Sequence, residues 1–376
     1  MTRVLDLAAR AGRGAAFALL WAALIGLPAA ASAQGVTTGA MTGLVVDDQG
    51  GAVPGATVVA VHQPSGTTYE AVSQGDGRFY IPGMRVGGPY TVTVSLTGFG
   101  NEVKSGVTVS LGAAADLNFR LRVAALAEEV TVVGTVDPIF SSQHTGAATS
   151  VTRDELATLP TISGRLNDMA RLSPQYGGSG SFAGQDSRMN NITVDGSYFN
   201  NSFGLRNAPG DTSGVAPISL EAIEQVQVSV APYDVRQGNF VGAGVNTVTR
   251  SGTNQITASA YRRMRNESFV GTEAAGLPFN PGTFTTYNTG FWVGGPFIKN
   301  KLFGFTSFEK QEDTRPLTTF TSNPGGVPAT GNTTRVLASD LNTLSGFLSS
   351  KYGYTTGAFD NISKITPGKP FLVKAD

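Results

Sequence analysis

Between Met41 and Arg122 apolar and polar positions alternate in short runs that turn residues interrupt. "MTGLVVDDQGGAVPGATVVAV" reads as a strand, an Asp-Gln-Gly-Gly turn, Pro54-Gly55 and a second strand, and Asp76-Gly77 separates two more. Tyr90, Val92, Val94 and Leu96 then alternate along a further strand. Several short strands in this space predict a small β-sandwich.

After Gly134 the pattern changes. Thr152 to Pro160 predicts a short helix with Thr152 as its cap and Glu155 completing a capping box. Gly164 to Pro174 predicts a second helix, stopped by proline. A strand at Ile192 runs into an Asp195-Gly196 turn, and one helical turn precedes a strand with Val226, Val228 and Val230 on one face. Beyond Ser251 long alternating strands return. Ile256, Ala258 and Ala260 oppose Thr257 and Ser259, and "GGPFIKNKLFGFTSFE" folds back at Lys299-Asn300-Lys301. Phe303 and Phe305 share a face, with Trp292 and Phe297 near the turn. This alternation, its aromatic residues near one turn and its long loops suit an outer-membrane barrel, with an ordinary soluble hairpin as the alternative.

The first residues address where the chain goes. Arg3, Arg10 and Arg13 precede an apolar stretch from Ala15 to Leu27, then Pro28 and the small residues Ala31-Ser32-Ala33. That order predicts a secretory signal over 1–33, cleaved between Ala33 and Gln34. The apolar run falls short of the roughly 20 residues that span a bilayer as a helix. Export is expected, and insertion into a membrane then rests on strands.

Composition narrows the chemistry. Lys+Arg and Asp+Glu both total 27 in 376 residues, so no basic stripe points to nucleic acid. Charged residues are only 14 %, against 48 glycines, which suits a turn-rich β-protein with much surface turned away from water. Cysteine is absent, which excludes disulfides and an acylated-cysteine anchor. The two histidines, His62 and His144, lack ligand companions at metal spacing, so neither a metal nor a cofactor is implied. No catalytic constellation stands out, and a non-enzymatic role is expected.

The phrases around Gly43, Asp47, Pro54-Gly55, Asp76-Gly77, Phe79, Pro82-Gly83, Tyr90 and Gly98-Phe99 resemble, in order, the carboxypeptidase regulatory-like domain. That resemblance implies a transthyretin-like or carbohydrate-binding-like β-sandwich. It implies no peptidase, because "HQPS" at His62 offers no zinc set; a structural spacer and a sugar contact both stay open. The run Ile192–Gly196, Ile223–Val230, Gly238–Gly244 and Val245–Arg250 resembles the plug domain of TonB-dependent outer-membrane receptors. "GNFVGAG" lacks the lysine of a phosphate loop and reads as tight backbone packing. "GGPFIKNKLFGFTSFE" resembles the early barrel strands of the Oar-like branch, whose members carry such a sandwich.

The fold class expected is therefore mainly β: a sandwich over 34–123, a linking segment over 124–135, an α+β plug over 136–250 and the first strands of a barrel over 251–376. A receptor of this class closes about 22 strands around its plug. The few strands here, and an alternating "KPFLVKAD" at the end, suggest a truncated or partial receptor. The resemblance further implies that "EEVTVVG", Glu128, Glu129, Val130, Thr131, Val132, Val133 and Gly134, is the TonB box. On that reading the segment joins the sheet edge of an inner-membrane, TonB-type energy-coupling partner by strand addition. The alternative is that these residues are the sandwich's last strand or the plug's first. Implied surroundings are outer-membrane lipid and an unnamed bulky solute, carbohydrate or peptide, with Tyr198, Phe199, Phe203 and Arg206 as contact candidates. A different class also fits: a secreted adhesive or scaffolding β-protein without energy coupling.

Overall fold

The computed structural model describes residues 36–123, 130–133, 147–159, 165–178, 180–201, 215–230, 237, 241–271, 273–274, 277–278, 283–318, 320–330, 332–360 and 362–376. The fold is mainly β, as the alternation predicts.

Eight strands build the N-terminal sandwich: β1 (Gly39–Asp47), β2 (Thr57–His62), β3 (Thr67–Val72), β4 (Arg78–Met84), β5 (Gly87–Ser95), β6 (Glu102–Val109), β7 (Ala114–Asp116) and β8 (Phe119–Leu121). One sheet has β1 between β4 and the parallel strands β7 and β8; the other runs β3-β2-β5-β6. Alternation works here as the period-2 rule requires. Met41 and Val45 from β1, Phe79 and Ile81 from β4, and Tyr90, Val92 and Val94 from β5 meet in one core. Gly43 lets β1 lie close to the β7–β8 connection, because a Cβ there would stand 1.8 Å from the Leu117 carbonyl oxygen.

Strand β9 (Val130–Val133) joins the second sheet beside β6, and β10 (Ala147–Val151) opens a different, central sheet. Helix α1 (Arg153–Thr158) starts as its capping box dictates: the Glu155 carboxylate accepts hydrogen bonds from Thr152 N (2.7 Å) and Thr152 Oγ1 (2.9 Å). Helix α2 covers only Leu166–Ala170, shorter than the expected Gly164–Pro174, because backbone turns take over at Leu172 and Ser173 before Pro174 is reached. Strands β11 (Asn191–Val194), β12 (Ser197–Tyr198), β13 (Ile223–Val230) and β14 (Ala243–Thr249) complete a sheet of order β10-β13-β14-β11-β12. The Asp195-Gly196 turn has positive φ at both residues (47° and 80°), the geometry of a tight hairpin. Val226 and Val228 are buried in a core with Leu156, Met169 and Ile192.

The last part is a wall of long antiparallel strands: β15 (Thr257–Asn266), then the short β16 (Glu273–Ala274) and β17 (Leu277–Pro278), then β18 (Thr285–Ile298) and β19 (Leu302–Pro316). At 14 and 15 residues, β18 and β19 exceed the about 9–11 that a tilted strand needs to cross a bilayer. Strands β20 (Thr321–Asn323) and β21 (Thr333–Leu337) and helix α3 (Ala338–Tyr352) form an excursion before β22 (Ser363–Gly368) and β23 (Phe371–Ala375) return to pair with β19. Nothing in the periodicity had suggested α3, and none of its residues is buried.

The two faces of this wall differ in chemistry. Ala260, Phe291, Phe308 and Phe371 stand in one register row, and Ala258, Val293, Thr306 and Val373 in the next. Phe291, Val293, Phe308, Phe371 and Val373 are exposed, an apolar band of the kind expected on the outer face of a membrane barrel. The opposite face carries Tyr261, Trp292, Phe305 and Glu309 against the central sheet. The aromatic residues near the turn therefore divide between the faces. Phe297 points outward and is 72 % exposed, whereas Phe303 and Phe305 are buried on the inner face.

Candidate functional site

Three sets of contacts connect the linking segment, the central sheet and the wall. The first is at the sandwich edge. β9 lies parallel to β6, with Glu102 opposite Val130, Val103 opposite Thr131, Lys104 opposite Val132 and Ser105 opposite Val133. Four of the segment's residues are thus a sheet strand; Glu128, Glu129 and Gly134 lie outside the described residues.

The second set begins where β6 ends. Its chain continues through Ser110 to Leu111, which is fully buried with Val36, Val86 and Val248. Leu111 N–H donates to Gln225 Oε1 (3.0 Å), and Gln227 Nε2 donates to the Leu111 carbonyl (2.7 Å). Gln225 and Gln227 are two apart on β13, so they project on the same face and bracket one residue of the sandwich. Gln225 also donates to Ser150 Oγ of β10 (2.6 Å). Gly112 has φ of 64°, and a Cβ there would come within 2.9 Å of the Gln227 amide, so the turn must stay bare. Nearby, Asn254 N–H donates to the Pro64 carbonyl (2.8 Å). Asn254 and Asn300 exchange two bonds, Asn254 Nδ2 to Asn300 Oδ1 (2.7 Å) and Asn300 N to Asn254 Oδ1 (2.9 Å). A sandwich loop is thereby held to the turn between β18 and β19.

The third set holds the central sheet to the wall. Ser219 Oγ donates to Glu309 Oε2 (3.0 Å), Tyr261 OH and Gln311 Nε2 also donate to Glu309, and Ala216 N–H donates to Gln311 Oε1 (2.9 Å). Gly290, opposite Tyr261, makes room for that ring: a Cβ would lie 2.6 Å from the hydroxyl. The Arg250 guanidinium sits 3.8 Å over the Trp292 ring, which stacks on Phe305. Glu221 bridges Arg153 (2.6 Å) and Arg263. Burial works against its charge, but the hydrogen bonds and charges of those two arginines more than offset it and hold the carboxyl below its usual range.

Between α1, α2 and the wall lies a cavity of about 950 Å³. Its lining includes Arg153, Arg165, Arg171, Arg263, Arg265 and Arg315 against the carboxylates Asp168, Glu221 and Asp313, an excess of cationic groups that favours anionic matter.

The contact candidates fare unequally. Tyr198 is 45 % exposed on β12, but Phe199 packs against the core of the central sheet, its N–H bonded to the Ile192 carbonyl (2.7 Å). Phe203, Arg206, Ala33, Gln34 and His144 lie outside the described residues. His62 is buried beside Tyr90, its Nδ1 hydrogen-bonded with Ser65 Oγ (2.6 Å). Burial and then the Arg85 charge lower its pKa to about 4, so the ring is neutral at pH 7. The paired glutamines, Glu309 and Arg250 escaped sequence reasoning. "EQVQVSV" shows alternation, and only the fold reveals that its polar face is buried too.

Residues 40–122 match the carboxypeptidase regulatory-like domain, and residues 248–370 an outer membrane beta barrel domain. The TonB-dependent transporter Oar of Myxococcus xanthus is 27% identical over 319 residues, covering 77% of this chain and 28% of that protein. The chain thus spans little more than a quarter of that relative's length. Among solved structures, the siderophore receptor PirA from Acinetobacter baumannii shares 22% identity over 45% of this chain and 25% of its own, with a TM-score of 0.36. The outer membrane transporter YddB from Escherichia coli shares 12% over 48% of this chain and 28% of its own, with a TM-score of 0.35. Scores this low mark partial overlap only. A regulatory-like sandwich followed by outer-membrane barrel strands, in a chain of which 77% aligns with Oar, resembles an Oar-like TonB-dependent outer-membrane receptor.

Proposed function

We propose that this chain is the coupling end of a receptor that binds a bulky solute and moves it across the outer membrane without enzymatic chemistry. Glu128–Gly134 is the handle for a TonB-type partner in the inner membrane. The carrying observation is the position of the segment. It lies between a folded sandwich and the first strand of the central sheet, which acts as the plug, and its β-branched run Val130–Val133 is extended. An outer membrane has no ATP and no sustained ion gradient, so work on the plug must arrive as force through such a link. Strand addition suits the task, since it recruits several backbone hydrogen bonds regardless of side chains. After export and removal of residues 1–33, the sandwich and handle face the periplasm. The solute enters from the opposite end of the wall strands, where the arginine-rich cavity lies.

The test is photo-crosslinking from Thr131 in the full receptor, in cells with and without the coupling protein, alongside solute uptake. A crosslink to the coupling protein and uptake that requires it support this reading. Uptake that persists without the partner, with no crosslink, would favour an uncoupled, adhesive role.

A further inference from the structure

The sandwich grips the central sheet and the wall at once, through different residues. Toward the central sheet it presents Leu111, whose N–H and carbonyl pair with Gln225 and Gln227 of β13 and whose side chain is buried with Val36, Val86 and Val248. Toward the wall it presents Pro64 and Arg85. The Pro64 carbonyl accepts from Asn254 N–H (2.8 Å), and Arg85 Nη2 donates to the Gly252 carbonyl (3.4 Å). Gly252 and Asn254 belong to the connection between β14 and β15, where the chain passes from the central sheet to the wall. Arg85 also pairs with Asp376 (3.3 Å) after β23 and lies over the buried Phe303 ring of β19. We propose that the sandwich is a clamp that seats the central sheet on the wall. The role is separate from coupling and from solute binding, and depends on neither.

Three features support that role. Both grips belong to one rigid body: Leu111 follows β6 and Arg85 follows β4, strands of opposite sheets whose residues Met84, Val107 and Val109 share the sandwich core. Moving one grip relative to the other would open that core. The Arg85 backbone is itself fixed, its N–H donating to Tyr69 OH (3.2 Å) and its carbonyl accepting from Tyr90 OH (2.6 Å). Second, the fit to β13 leaves no room for added side chains, since a Cβ at Gly87 or Gly112 would lie 2.9 Å from the Glu224 or Gln227 side chain. Third, separation would uncover the apolar cluster around Leu111, to which the sandwich gives Val36, Val86 and Leu111 and the central sheet Val248. A spacer joined only through its linking segment requires none of these contacts.

The chain has no cysteine, so Pro64→Cys with Asn254→Cys makes the wall-side grip switchable in the full receptor. The pair is made with Arg85→Ala, which removes the other wall-side contacts of the sandwich, and closure is read by electrophoretic mobility. The readout is hydrogen exchange of the β13 amides, Ile223–Val230, where no residue is altered. In the reduced form these amides are expected to exchange on the order of fivefold faster than in the parent, the effect of losing one typical hydrogen bond. Oxidation should return them to the parent rate while the β5 amides stay unchanged. The same pair is also made with Arg85 intact, so that any dependence of the sandwich's own fold on Arg85 does not decide the result; there, too, oxidation should slow β13. A β13 rate that ignores oxidation in both backgrounds overturns the proposal and leaves the sandwich a spacer. Failure of the pair to oxidise in both also overturns it, since Pro64 would not then rest on the connection.

Discussion

Gln227 donates its side-chain N–H to the backbone carbonyl of Leu111 at 2.7 Å, and this bond joins the sandwich to strand β13 of the central sheet. Both residues are almost wholly buried, so neither has water as an alternative partner. Losing one member of a buried pair costs about 1–3 kcal/mol, because the other is left unsatisfied. Gln227→Met keeps the length and removes the polarity. It is expected to loosen the sandwich from the plug, read as faster proteolytic release of residues 36–123. Gly112→Ala, which pushes a methyl against the same amide, should act in the same direction. A release rate equal to the parent's in both variants would show that the clamp bears no load.

The wall network gives a second expectation. Glu309 accepts hydrogen bonds from Ser219, Tyr261 and Gln311, and Glu309→Ala leaves those three donors in a buried space. Bonds to a charged group contribute about 1.5–3 kcal/mol each. Hydrogen exchange of the amides at 215–222 should therefore accelerate in Glu309→Ala, with the sandwich amides unaffected. Uniform acceleration across the chain would mean global destabilisation instead.

The sandwich is expected to fold alone, since residues 36–123 hold its whole core. Its stability should also depend on pH through His62. The ring titrates at about 4 in the fold and near its ordinary 6.5 when unfolded. Between those values the unfolded chain binds the extra proton, so stability is complete above pH 6.5 and falls as pH drops towards 4. The full loss is on the order of 3 kcal/mol. Thermal melts of fragment 36–123 from pH 7.5 to 4, followed by circular dichroism, test both statements. His62→Gln should flatten the slope. A coil-like, non-cooperative fragment would refute independent folding.

How much of this was legible in the sequence depends on the kind of contact. Tyr90, Val92 and Val94, the Thr152–Glu155 box and the Asp195-Gly196 turn are local, and pattern alone places them. The parallel pairing of β6 with β9 joins residues 28 apart in sequence (Glu102 with Val130), which no period reveals. Gln225 and Gln227 illustrate a different failure. Alternating polar residues suggest solvent on one side of a strand, yet both sides of β13 are covered, the polar side by the sandwich. Trp292 likewise faces inward because Arg250 and Phe305 receive it there. α3 lacks a buried face, so it had no apolar stripe to announce it.

The sharpest expectation concerns Val132. Strand addition depends on backbone donors and an extended chain, whichever edge of β9 is used. Val132→Pro removes one donor and fixes φ, so it should abolish crosslinking to the coupling protein and solute uptake. Val132→Thr keeps the β-branched, extended preference and should retain both if the backbone carries the affinity. Receptor abundance in the outer membrane should be unchanged in either variant, because β9 pairs with β6 of the sandwich and lies outside the wall. The three readouts separate the roles of this segment. Uptake and crosslinking that survive Val132→Pro would reduce Glu128–Gly134 to a linker. Loss of the protein itself would make it a structural strand of the sandwich. Loss of crosslinking and uptake at normal abundance is the outcome expected of a handle.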